Sequence, residues 1–180
     1  AITLGQLGYG ATKGYLENTT KTLVEDSSQS ATQLAKMQGV DETDPEALRQ
    51  MLETIVAKNQ SGELDPKNIQ TKLDELKDTI TSLFGDRKTG NREYSDFLNK
   101  IKSISFDGKM DPVELRKIIE SQFAEKDADE KDEIEQKASG YLQISFESNV
   151  AKSFSALEDT QKMASSVAID KTIDKIQNSV

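Results

Sequence analysis

The chain has 180 residues, 34% hydrophobic and 31% charged, with a net charge of −9, no Trp, no Cys and no His. The acidity argues against nucleic-acid binding, which needs basic charge to displace counterions, and against docking on anionic lipid. Lack of Cys and His excludes disulfides, zinc–thiolate sites, Cys nucleophiles and His general bases.

No run approaches the roughly 20 apolar residues of a membrane span. The first ten residues have neither a basic n-region nor a long apolar h-region. The expected protein is therefore secreted or at the cell surface by a route without a cleavable signal, and cytoplasmic before export. A Cys-free chain suits such a route.

Residues 1–15 contain Gly5, Gly8, Gly10 and Gly14. Each weakens a helix by about 1 kcal/mol relative to Ala, so this stretch is expected to fray. Gly5-x-x-Gly8-x-Gly10 follows no strand and has the wrong spacing for a dinucleotide loop. From Tyr15 to about Gln38, Leu16, Leu23, Ala31, Leu34, Ala35 and Met37 form a thin helical stripe, with Ser and Thr at some stripe positions.

All three prolines follow aspartate, at Asp44-Pro45, Asp65-Pro66 and Asp111-Pro112. The Asp carboxylate can accept from the open amides of a first turn, and Pro suits the next position, so each pair predicts a helix start. Helices are expected from Pro45 to about Lys58, Pro66 to about Phe84, around Tyr94–Ile101, and Pro112 to about Glu125. Residues 85–91 read as a plain polar loop.

The acidic run Asp127, Asp129, Glu130, Asp132, Glu133 reads as a solvated helix start or linker. Beyond it an apolar stripe continues to Val180 without proline. A single helix over most of Asp132–Val180 would span about 70 Å. It needs the N-terminal stripe or another copy to cover it.

Two of the Asp-Pro pairs end nearly the same phrase, Ser61-Gly62-Glu63-Leu64-Asp65-Pro66 and Asp107-Gly108-Lys109-Met110-Asp111-Pro112. The predicted fold is therefore all-α. Long N- and C-terminal helices pair as a coiled coil or bundle around a central pair of helix–loop–helix repeats. The parts are an arm at 1–41, the repeats at 42–126 and a long helix at 127–180. The two loops are candidates to lie side by side, with Leu64 against Met110.

Ser103, Ser105, Asp107, Lys109, Asp111 and Glu114 occupy the ligating positions of a twelve-residue loop that resembles those of the EF-hand family, with Gly108 at its turn. The resemblance implies calcium held by these residues. Serines stand where that family carries carboxylates at the first and third positions, and the first repeat has Ala57 and Asn68 at the two ends of its loop. The preferred expectation is two helical hairpins without an ion or other cofactor, and a calcium-responsive module is the alternative.

No acid pair lies in an evident apolar pocket, and no serine has a nucleophile motif, so the expected function is non-enzymatic. Weak stripes at both ends, a compact middle and the Gly-x-(Leu/Met)-Asp phrase together resemble the secreted filament and translocon-associated proteins of bacterial type III secretion. The resemblance implies a homo-oligomer, or a protein partner, engaged through Leu16, Leu23, Leu34, Phe146, Val150, Phe154, Leu157, Ile173 and Ile176. A small secreted effector or virion component that binds a protein partner is the remaining alternative.

Overall fold

The computed structural model describes residues 4–179, with side chains from residue 17 onward. The described residues form seven helices and no strand. These are α1 (Leu4–Gln38), α2 (Pro45–Gln60), α3 (Pro66–Thr81), α4 (Arg87–Phe106), α5 (Pro112–Gln122), α6 (Ala128–Gln161) and α7 (Ser165–Asn178). They pack against one another as a bundle. The most extensive contact joins the two longest helices, α1 and α6, followed by α3 on α6 and α7 on α1.

Each Asp-Pro pair starts a helix, with Pro45, Pro66 and Pro112 as first residues. The Asp44 carboxylate accepts from the amides of Glu46 and Ala47, and that of Asp111 from Glu114 at 2.7 Å. Asp65 makes no such cap bond. In its place, the Asn68 amide donates back to the carbonyls of Gly62 and Glu63. The acidic run is a helix start. Asp127 and Glu130 form a reciprocal capping box at the head of α6.

Both repeat loops are Schellman turns. Gly62 (φ +84°) and Gly108 (φ +75°) take left-handed backbone, which costs glycine nothing. The Glu63 amide returns to the Lys58 carbonyl and the Lys109 amide to that of Ile104.

The helix starting at Arg87 corrects the loop expected at 85–91. The Asp86 carboxylate accepts from the amides of Lys88 and Thr89, which nucleates α4 five residues after α3 ends. Gly90 is buried there, and a Cβ on it would lie 3.1 Å from the Thr81 backbone. α1 begins at Leu4 and runs through the glycine cluster expected to fray. Adding a turn to an existing helix needs no new nucleus.

The single helix expected over Asp132–Val180 is two. α6 stops at Gln161, Lys162 adopts left-handed backbone (φ 53°), and α7 restarts at Ser165. A non-glycine residue there costs about 1–2 kcal/mol. The reversal lets Ile169, Ile173 and Ile176 reach the core, and each such burial contributes about 1.5–3 kcal/mol. A straight helix would carry these residues past the end of the bundle.

One core runs through the described chain. Phe97 and Phe123 are fully buried in it with ring centroids 5.5 Å apart, and Phe84 flanks Phe123 at 6.4 Å. The polar stripe of α1 is accommodated inside. Ser27 Oγ and Thr172 Oγ1 of α7 share a buried hydrogen bond of 2.9 Å.

Candidate functional site

The six residues at calcium-ligating positions are spread over the end of α4, the turn after it and the start of α5. α4 continues through Phe106, so Ser103 and Ser105 belong to a helix. The Ser105 hydroxyl donates to the Ile101 carbonyl of that helix. Only residues 107–111 separate α4 from α5. The Asp111 carboxylate is engaged as the cap of α5, and Asp107 and Lys109 are exposed. Among the described residues no three Asp or Glu side chains converge as a metal site. Leu64 and Met110 are both buried; Leu64 lines a cleft with α6 residues, and the Met110 amide bonds to Gln33 of α1.

The residues expected to mediate assembly lie inside the chain's own bundle. Leu34, Phe146, Val150, Phe154, Leu157, Ile173 and Ile176 are buried, and Leu23 is half-buried against the core. The Leu16 side chain lies outside the described residues. α1 lies along α6, and the cover that the C-terminal stripe requires is thus supplied from within.

The second repeat loop borders the site that the sequence reading missed. Gln29 and Gln33, one turn apart on α1, reach the end of α4. Gln29 Nε2 donates to the Phe106 carbonyl and Gln33 Nε2 to that of Ser105, both at 3.0 Å. Gln33 Oε1 accepts from the buried Met110 amide at 3.1 Å. One side chain thereby satisfies a helix-end carbonyl and a loop amide, groups that would otherwise lose their hydrogen bonds on burial.

Beside this clasp lies a groove of about 580 Å³ between α1, the end of α4, and α6. Its floor includes the buried Tyr141, Leu142 and Phe146, and its walls carry Ser30, Gln33, Ser145 and Ser153. Burial raises the pKa of the Tyr141 hydroxyl, and a hydrogen bond with Ser145 partly offsets this. Asp26, Lys102 and Lys152 also line it. Phe106 stands at the edge with 84% of its surface exposed, the most exposed large apolar side chain of the described chain. Val113, 65% exposed, lies on the far side of the same loop, in a shallower depression with Arg116 and Lys117.

The signal for this surface was present in the repeat. Aligned on their glycines, the first loop has Gln60 and Lys67 where the second has Phe106 and Val113, and all four positions are exposed. Burial therefore does not account for the apolar residues of the second loop. The clasp itself has no local signature, because Gln29 and Gln33 are ordinary helix residues until α4 is placed beside them.

Comparison with protein-family models, with curated proteins and with solved structures finds no match.

Proposed function

We propose that this chain is a non-enzymatic protein-interaction module in which the terminal helices form the scaffold and the second repeat loop presents the contact surface. The observation that carries the reading is the exposure of Phe106 and Val113 on a turn whose sister turn has Gln60 and Lys67 at the same exposed positions. Large apolar side chains exposed on one turn without a packing role can mark contact sites, and an exposed aromatic ring is a frequent anchor of such contacts. The adjoining groove, with an apolar floor and polar walls, has a volume typical of ligand and peptide sites.

The test is a peptide-display selection on the full chain beside its F106Q/V113K variant, which gives the second loop the first loop's residues. Peptides enriched on the wild type should lose binding to the variant, while circular dichroism and melting stay the same. Equal enrichment on both proteins, or none on either, overturns the reading. Sedimentation at rising concentration tests assembly through the terminal helices. On the present reading the chain stays monomeric, because the residues expected to assemble are already occupied inside it.

A further inference from the structure

We infer that the groove between α1, α4 and α6 takes an acidic, apolar-anchored peptide segment, with carboxylates at Lys102 and Lys152 and an apolar side chain against Phe106 and the groove floor. This rests on the interaction reading and specifies the chemistry of the partner.

The first support is charge. The chain is strongly acidic, yet two lysines and a single carboxylate, that of Asp26, line this groove. Lys102 and Lys152 are exposed, and neither has a carboxylate within ion-pair distance among the described residues, so both ammonium groups can meet a ligand's carboxylate. Exposed ammonium groups at the rim of a low-dielectric groove select a ligand by sign and steer its approach, even where each adds little affinity.

The second support is a pair of hydroxyls without a protein partner among the described residues. Ser30 and Ser153 are more than nine-tenths buried and line the groove from α1 and from α6. Neither hydroxyl bonds to another described residue, although Ser27, Ser28 and Ser105 all donate to carbonyls of their own helices. Among the described residues no fully enclosed side-chain oxygen or nitrogen lacks a partner, so these two hydroxyls keep some contact with solvent, and both residues line the groove. They can donate to a carboxylate or to backbone carbonyls of a docked segment.

The third support is Phe106. Its carbonyl is held by Gln29 while its ring projects at the groove edge. The ring is therefore carried on a fixed backbone, which limits the ordering cost of binding.

Three twelve-residue synthetic peptides of Leu and Phe with Glu, Gln or Lys at the polar positions serve as probes. Each is titrated into the full chain by fluorescence anisotropy, with amide NMR shifts to locate it. The Glu peptide should bind about tenfold more tightly than the Gln peptide, and the Lys peptide more weakly still. Shifts should centre on Ser30, Ser145, Asn149 and Ser153. The K102E/K152E variant should weaken the Glu peptide by about tenfold or more and remove its salt dependence, with unchanged melting.

Equal binding of the Glu and Gln peptides, or indifference to K102E/K152E, overturns the acidic chemistry. If none of the three shifts the groove while display selection yields Phe106-dependent peptides, the inference falls and the interaction reading stands. If selection fails as well, both fall.

Discussion

The two helix–loop–helix repeats share a turn but differ in what holds them and in what they expose. In the first loop the buried Leu64 lines a cleft together with Ser148, Ala151 and Ser155 of α6. Just before it, Lys58 forms an ion pair of 2.7 Å with the buried Glu147 of the same helix. At the matching position the second repeat has Ile104, and its loop is held instead by the two α1 glutamines. Local backbone is thus set by glycine, aspartate and proline, while the docking partner is set by one or two polar side chains elsewhere. Only the second of the two equivalent turns exposes large apolar residues, and the proposed contact surface rests on that difference.

The clasp offers the strongest way to separate the repeats. Gln33→Leu should destabilise the chain by about 2–3 kcal/mol in urea titration, because it strands the buried Met110 amide. Asn68→Ala, which removes the exposed bonds of the first loop, should cost below about 1 kcal/mol. Equal costs would mean that the clasp does not distinguish the two turns.

For the first repeat the corresponding anchor is the ion pair. Lys58→Met leaves the Glu147 carboxylate buried and unpaired, and should cost about 2 kcal/mol. That is below the figure for a fully enclosed pair because Lys58 is about a third exposed. The double variant K58M/E147L should recover much of the loss. A neutral single variant would show that Leu64 alone docks this loop.

Both turn glycines have positive φ, but their surroundings differ. A Cβ at Gly108 would sit 2.7 Å from Gln29 Nε2, whereas one at Gly62 would meet Asp65 Oδ2 at 3.3 Å. Gly108→Ala should therefore cost about 2 kcal/mol and Gly62→Ala about 1 kcal/mol by thermal melting, the extra loss coming from displacement of the Gln29 bond. The reverse order would contradict the clasp geometry. Smaller still is the capping contrast. Asp111→Ala should cost about 1 kcal/mol and Asp65→Ala less than half of that, since only Asp111 accepts from its helix.

The smallest effect on stability belongs to the proposed contact residues. F106Q and V113K should each leave stability within about 0.5 kcal/mol, as surface changes do, while abolishing partner binding. A large loss of stability in either would place these side chains in the fold's energetics rather than at an interface.

Much of this fold was legible in the chain because its signals are local. Each Asp-Pro starts a helix, Gly62 and Gly108 end one, and the apolar stripes of α2, α3 and α5 predict buried faces without any knowledge of neighbours. The reversal at Lys162 was not legible, since neither proline nor glycine marks it and it exists only because Ile169, Ile173 and Ile176 find α1 and α2 to pack on. The EF-hand-like spacing left the backbone of its first positions open for a related reason. Spacing alone cannot tell whether Ser103 and Ser105 belong to a loop or to the last turns of a helix. In the folded chain the helical bonds of α4 take them.

By itself the sequence determined the all-helical class, the three Asp-Pro starts and the two glycine turns, because each follows from bonds within four or five residues. Which long helix each turn leans on, where the C-terminal stripe bends and which hydroxyls open into a groove were decided only when distant segments met. A buried polar bond depends on the placement of both partners, and no short stretch of chain encodes that placement.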